Sequence, residues 1–158
     1  WNNHGARNLG AHVAETEWLL MTDVDHVLSA TCAQRLVKQE LNPDLWYAIG
    51  RHKITPSEAS IIHPAPNIFL MTKARFWELG GYDEDYCGSY GSDNVFRRLR
   101  GGNYKVLPVD IYLKVRDGFP KEESHNLSRD TTRAQALFAQ KGIVKAENPI
   151  RFPWHQVR

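Results

Sequence analysis

Trp18-Leu19-Leu20-Met21-Thr22-Asp23-Val24-Asp25-His26 is the stretch on which the reading of this chain turns. A short continuous apolar run bounded by polar residues has the length and texture of a buried strand. It stops where Asp23, Asp25 and His26 crowd together, because a sheet interior could not hold them unpaired. Asp23 and Asp25 therefore stand at i and i+2 just past a strand's carboxyl end, where α/β folds open side chains into a crevice. Two such carboxylates can share one hard divalent ion, since oxygen ligands and retained waters satisfy Mg2+ or Mn2+, and the ion can in turn hold a diphosphate. The competing reading makes both acids solvate a turn and cap the helix expected near 29–33. The buried strand ahead of them favours the site.

Outward from that stretch, Leu9, Val13 and Ala14 recur at helical spacing and predict a helix over 8–15. Cys32, Leu36, Val37 and Leu41 form a second helical stripe, which must end before Pro43. Residues 46–49 read as a strand, the Pro- and His-bearing segment 51–66 as a loop, and 67–71 as another strand. Thr72 is placed to cap a helix over 73–79, with Gly80-Gly81 as its stop. Val95, Phe96 and Leu99 mark a further helix closed by Gly101-Gly102, and 104–113 one or two strands broken at Pro108. Residues 116–129 are polar and loop-like, and 130–141 the last helix. Trp18, Trp46 and Trp77 read as core anchors. Strands alternate with helices, so the expected class is α/β, a mixed sheet flanked by helices.

The chain has 158 residues, one domain's worth at roughly 100 to 200 residues each, and long enough to bury a core. Lys plus Arg number 20 against 18 Asp plus Glu, a net +2, and the densest basic run, Arg97-Arg98-Leu99-Arg100, is too short to argue for nucleic acid. Apolar content of 42% argues against disorder. No apolar stretch reaches the ~20 residues of a membrane helix. Cys32 and Cys87 have neither metal nor redox spacing and fit a reducing, cytoplasmic compartment, whereas the sequon Asn126-Leu127-Ser128 would permit glycosylation in a secretory lumen. The first residue is Trp1 rather than Met, which reads as a piece of something longer or a processed product.

A second acidic segment, Tyr82-Asp83-Glu84-Asp85-Tyr86, follows Gly80-Gly81, and Gly88-Ser89-Tyr90-Gly91-Ser92-Asp93-Asn94 opens the next helix. Aromatics beside carboxylates suit sugars: a pyranose offers an apolar face for Tyr82, Tyr86 or Tyr90 and hydroxyls for Asp or Glu. Asp93 reads either as a first-turn acid that compensates the helix dipole or as a general base.

Taken in order, Gly5-Ala6-Arg7-Asn8-Leu9-Gly10, the Asp23-Val24-Asp25 stretch, Phe76-Trp77-Glu78-Leu79-Gly80-Gly81-Tyr82-Asp83-Glu84 and Gly91-Ser92-Asp93-Asn94 resemble nucleotide-sugar glycosyltransferases of the GT-A fold. The second half is most similar to the catalytic region shared by β-1,4-galactosyltransferases and polypeptide N-acetylgalactosaminyltransferases. The resemblance implies that Asp23 and Asp25 bind the metal, Mn2+ or Mg2+, with Asp25 the direct ligand and His125 on the late loop the third. It implies that Asp93 is the inverting base and that Asp83 and Glu84 lie on the acceptor side. Gly81, Tyr82, Tyr90 and Asn94 join them as substrate-binding candidates, and Arg7 as a contact to phosphate or ribose. The family's Glu-Asp pair is Ser92-Asp93 here. In the family a β-α-β-α nucleotide-binding unit precedes the Ala-Arg-Asn segment, and here four residues precede Gly5. The expectation is thus a single truncated catalytic domain over 1–158, or a nucleotide layer supplied by a second chain.

The function so implied is inverting transfer of a hexose or N-acetylhexosamine from a UDP-linked or other nucleotide-sugar donor to a hydroxyl acceptor, a glycan or another alcohol. Neither nucleic acid nor a membrane span enters it. Two other classes stay open: a noncatalytic sugar-binding or assembly subunit, and a metal-dependent hydrolase of diphosphate compounds with water as acceptor.

Overall fold

The computed structural model describes residues 2–54, 59–115 and 130–155. They form a mixed α/β architecture with two mixed sheets and several helices. The chain divides into two compact units: Glu17–Arg75 with Gly102–Asn126, and Trp1–Thr16 with Phe76–Gly101 and Leu127–Arg158. Among the described residues no helix is long and apolar enough to cross a membrane.

Both sheets belong to the first of these units, the sheet unit. β1 (Trp18–Met21), β3 (Trp46–Ala48), β6 (Phe69–Thr72) and β7 (Tyr104–Val106) make one sheet in the order β1-β6-β3-β7. β6 pairs antiparallel with β1, Met21 opposite Phe69, and β3 pairs parallel with β7. β6 is buried at every position, as expected of a continuous apolar run inside a sheet. β2 (His26–Leu28), β4 (Gly50–Ile54), β5 (Ala59–Ile62) and β8 (Tyr112–Val115) make the second sheet in the order β2-β8-β4-β5. Tyr47, Ile49, Ile68, Leu70, Leu107, Ile111 and Leu113 form the buried cluster, with Trp18 and Leu20 packed against it.

Three sequence expectations change here. Residues 51–66 contain the antiparallel β4–β5 pair rather than only a loop. The Arg51 guanidinium ties the pair's ends by donating to the His63 carbonyl at 2.7 and 2.9 Å, while His52 stacks on Tyr112 of the neighbouring β8 with ring centroids 3.7 Å apart. The second helix, α2 (Ala30–Leu36), is capped by Ser29 and stops before Val37, which is 82% exposed; Leu41 packs on the core from beyond the helix. Helix α1 spans Asn3–Val13, starting earlier than apolar spacing suggests, because Asn2 caps it through the Gly5 N–H at 2.8 Å and its inward face is polar.

The second unit carries α1, the second half of α3 (Lys73–Glu78), a 3-10 turn at Glu84–Tyr86, α4 (Asn94–Arg100) and α5 (Thr132–Lys141). Thr72 accepts from the Arg75 N–H as an N-cap, as its position suggests. The core of this helical unit is aromatic: Phe96 lies 4.5 Å from the Tyr82 ring and 5.2 Å from Phe76, and all three are almost wholly buried. Asn8, fully buried in α1, ties that core together by accepting from the Tyr82 N–H at 2.8 Å and donating to the Tyr82 carbonyl at 2.7 Å. Replacing Phe96 with Ala is expected to cost about 3 to 5 kcal/mol, since both flanking rings lose their partner and the cavity cannot close. Urea unfolding would read this as a lower midpoint, with Phe96→Leu losing distinctly less.

Candidate functional site

Two places carry chemistry, one in each unit. In the sheet unit, β1 ends at Met21 and a turn closed by the His26 N–H to the Asp23 carbonyl, 3.1 Å, leads into β2. That turn brings Asp23, Asp25 and His26 together, with one potential ligand atom from each lying within 4.8 Å of the others. Asn67 holds Asp23 from the side, its amide donating to both carboxylate oxygens at 2.9 and 3.1 Å. His26 Nδ1 donates to Asp25 Oδ1 at 2.6 Å, and the imidazole side chain is only 4% exposed against 44% for Asp25. The other ring nitrogen, Nε2, is buried without a hydrogen-bond partner among the described residues.

Carboxylate oxygens, one of them on an acid oriented by an imidazole, suit Mn2+ or Mg2+, so Asp23 and Asp25 fit the expected ion. His125 lies outside the described residues. Sequence reasoning named Asp23 and Asp25 but missed His26 as a donor and Asn67 as the group that orients Asp23. The signal for His26 was its adjacency to Asp25; Asn67 had none, because it arrives from 44 residues away.

In the helical unit the structure separates the acids that the sequence grouped. Asp83 is 6% exposed and receives Lys141 Nζ at 2.6 Å, Arg151 at 3.2 Å and the Asp85 N–H at 3.0 Å. Asp85 is bound by the same two cations, at 2.5 and 2.6 Å, and Glu84 accepts from Asn2 and the Arg151 N–H, both at 2.8 Å. Hydrogen bonds from Lys141 and Arg151 hold the Asp85 carboxyl below its ordinary range; burial opposes the Lys141 charge, yet its bonds to Asp83 and Asp85 raise it. Asp83 and Glu84 thus clasp the tail to the 3-10 turn.

Tyr82 and Tyr86, 2% and 1% exposed, are core residues and offer no face to a sugar. Gly81, with φ +63°, turns the chain where a Cβ would meet Asn8 Oδ1 at 2.8 Å, so its role is close packing. Arg7 donates to the Tyr82 hydroxyl at 3.3 Å and lies 5.5 Å over its ring.

Asp93, Tyr90 and Asn94 have a different setting. Asp93 precedes α4 but its side chain makes no capping bond, and its charge acts on His4, Tyr82 and Arg100. Arg100 is 3% exposed; burial brings its pKa down to about 10, with Tyr82 and Asp93 opposing and Arg97 adding to the fall. Tyr90 and Asn94 line a cavity of about 340 Å³ together with Arg98, Gln135 and Phe138.

His4 donates through Nδ1 to the Asp83 carbonyl at 2.9 Å and is 2% exposed. Burial lowers its pKa from 6.5, opposed by that hydrogen bond, with Arg7 lowering it further and Asp93 and Asp83 opposing. The unfolded chain therefore takes up a proton on His4 that the folded chain refuses. Stability is complete above pH 6.5 and is lost as pH falls from there through the lowered folded pKa. Thermal melts between pH 7 and 5 should fall for the native chain and fall less for His4→Asn; equal slopes would place the titration elsewhere.

No protein-family model and no curated protein matches the chain.

Proposed function

We propose that the chain is a metal-dependent, inverting glycosyltransferase of the GT-A type, moving a hexose or N-acetylhexosamine from a nucleotide-sugar, UDP-linked, to an acceptor hydroxyl. The observation that carries the reading is the convergence of the Asp23, Asp25 and His26 donors at the end of β1, with Asn67 bracing Asp23. A Mn2+ or Mg2+ ion held there supplies positive charge against the diphosphate leaving group. Asp23 and Asp25 provide the oxygens, His26 fixes the orientation of Asp25, and His125 is assigned as a further ligand on the resemblance. Asp93, whose carboxylate is not used as a helix cap, takes the acceptor proton. The acceptor oxygen then bonds to the anomeric carbon as its bond to the diphosphate oxygen breaks, inverting that centre.

A second reading, a noncatalytic sugar-binding subunit, is favoured by the cavity at Tyr90, whose lining includes none of the cation-cluster residues. Titration of the chain with manganese and a panel of nucleotide-sugars separates the readings. Metal-dependent donor binding and transfer to an added hydroxyl acceptor are expected. Sugar binding without any nucleotide-sugar binding would favour the subunit, and rapid release of free sugar without acceptor the hydrolase.

A further inference from the structure

The cavity of the helical unit has a charge pattern of its own. Its polar lining comes from Tyr90, Asn94, Arg98, Thr131 and Gln135, and among the described residues no acid contributes. Arg98 lies with its guanidinium carbon 4.8 Å over the Phe138 ring, a cation–π seat that fixes the plane of the fork while leaving its N–H groups to other partners. Phe138 is itself held at its edge by Tyr86, ring centroids 5.6 Å apart. Tyr90 is 49% exposed, giving an aromatic face at the cavity, and Gln135 is anchored by its amide donating to Thr131 Oγ1 at 3.0 Å. Gly91, with φ +76°, keeps the space open: a Cβ there would meet Asn94 Nδ2 at 3.0 Å.

We infer that this cavity binds an anionic sugar, a pyranose bearing a carboxylate or phosphate, with the ring against Tyr90 and the oxyanion on Arg98. A neutral sugar would satisfy the amides and the aromatic face but leave the guanidinium without a counter-charge. A bare anion would engage Arg98 and leave Tyr90 unused. A planar, seated guanidinium is suited to oxyanions, where two parallel N–H groups add geometric specificity to charge. The inference deepens the transferase reading and rests on it for the sugar's role as acceptor, because Asp93 lies between Gly91 and Asn94 in the same segment.

The test is calorimetric titration of the full chain with glucuronic acid, glucose 6-phosphate, glucose, inorganic phosphate and uridine monophosphate. The two acidic sugars are expected to bind about tenfold or more tightly than glucose, the margin of a charge-assisted bond. Arg98→Gln should erase that margin and Arg98→Lys keep part of it; Arg98 is exposed, and its variants' melting curves check that they fold. Tyr90→Ala should weaken acidic and neutral sugars alike.

Equal affinity for glucose and the acidic sugars overturns the inference, as does inorganic phosphate binding as tightly as glucose 6-phosphate. Tighter binding of uridine monophosphate than of either acidic sugar also overturns it, marking a nucleotide pocket. An intact margin that Arg98→Gln erases, in a chain with no manganese-dependent donor binding, supports the pocket and sinks the transferase reading. Donor binding with no margin sinks the inference alone.

Discussion

Asp25→Ala is expected to abolish manganese-dependent binding of a nucleotide-sugar and to lower transfer by about a thousandfold. That is the rate equivalent of the several kcal/mol by which a bound cation stabilises a charged leaving group. The effect on folding should be small, because Asp25 is 44% exposed in its side chain and its contact is with the neighbouring His26. His26 would then lose the acceptor for its Nδ1 proton, so His26→Ala should weaken the cation by a smaller factor of about 10 to 100, the range for groups that orient a ligand. Titration with manganese followed by electron paramagnetic resonance reads both variants directly. Unchanged manganese affinity in Asp25→Ala would remove the cation site and with it the reading of the whole turn.

Asp93→Asn is expected to lower transfer by about a hundred- to ten-thousandfold, the usual contribution of a positioned general base. Manganese affinity should stay near its native value, because Asp93 is not among the donors that converge with Asp23. The substitution is nearly isosteric and breaks no capping bond, so the melting temperature should move little. Loss of transfer with donor binding retained assigns the acceptor proton to Asp93. Normal transfer by Asp93→Asn would place the base at another residue.

Much of the architecture was legible because it follows from hydrophobic pattern and local stereochemistry. The apolar run at Trp18–Met21 became β1, the Thr72 cap started α3, Gly101 ended α4, and the break at Pro108 separated β7 from β8. The β4–β5 pair was not legible, because Arg51, His52 and Lys53 give β4 no alternation of apolar residues. The early start of α1 was hidden for the same reason, since the buried face of that helix presents His4 and Asn8. The basic run at Arg97-Arg98-Leu99-Arg100 carried no nucleic-acid signal, yet its members diverge, Arg100 into the core and Arg98 to a cavity wall.

Alone, the order of residues determined which elements form and that two carboxylates leave a buried strand together, since both depend on neighbours a few positions apart. Tertiary structure decided which acids are engaged by the fold itself. Nothing local distinguishes Asp83 from Asp93, both beside glycines and aromatics, but Lys141 and Arg151 arrive from 58 and 68 residues away to neutralise the first. An ion pair is decided by distance in space, and the chain reports only distance along itself. The same reason put Tyr82 in the core and Tyr90 at a cavity, although each reads as an aromatic next to a glycine turn.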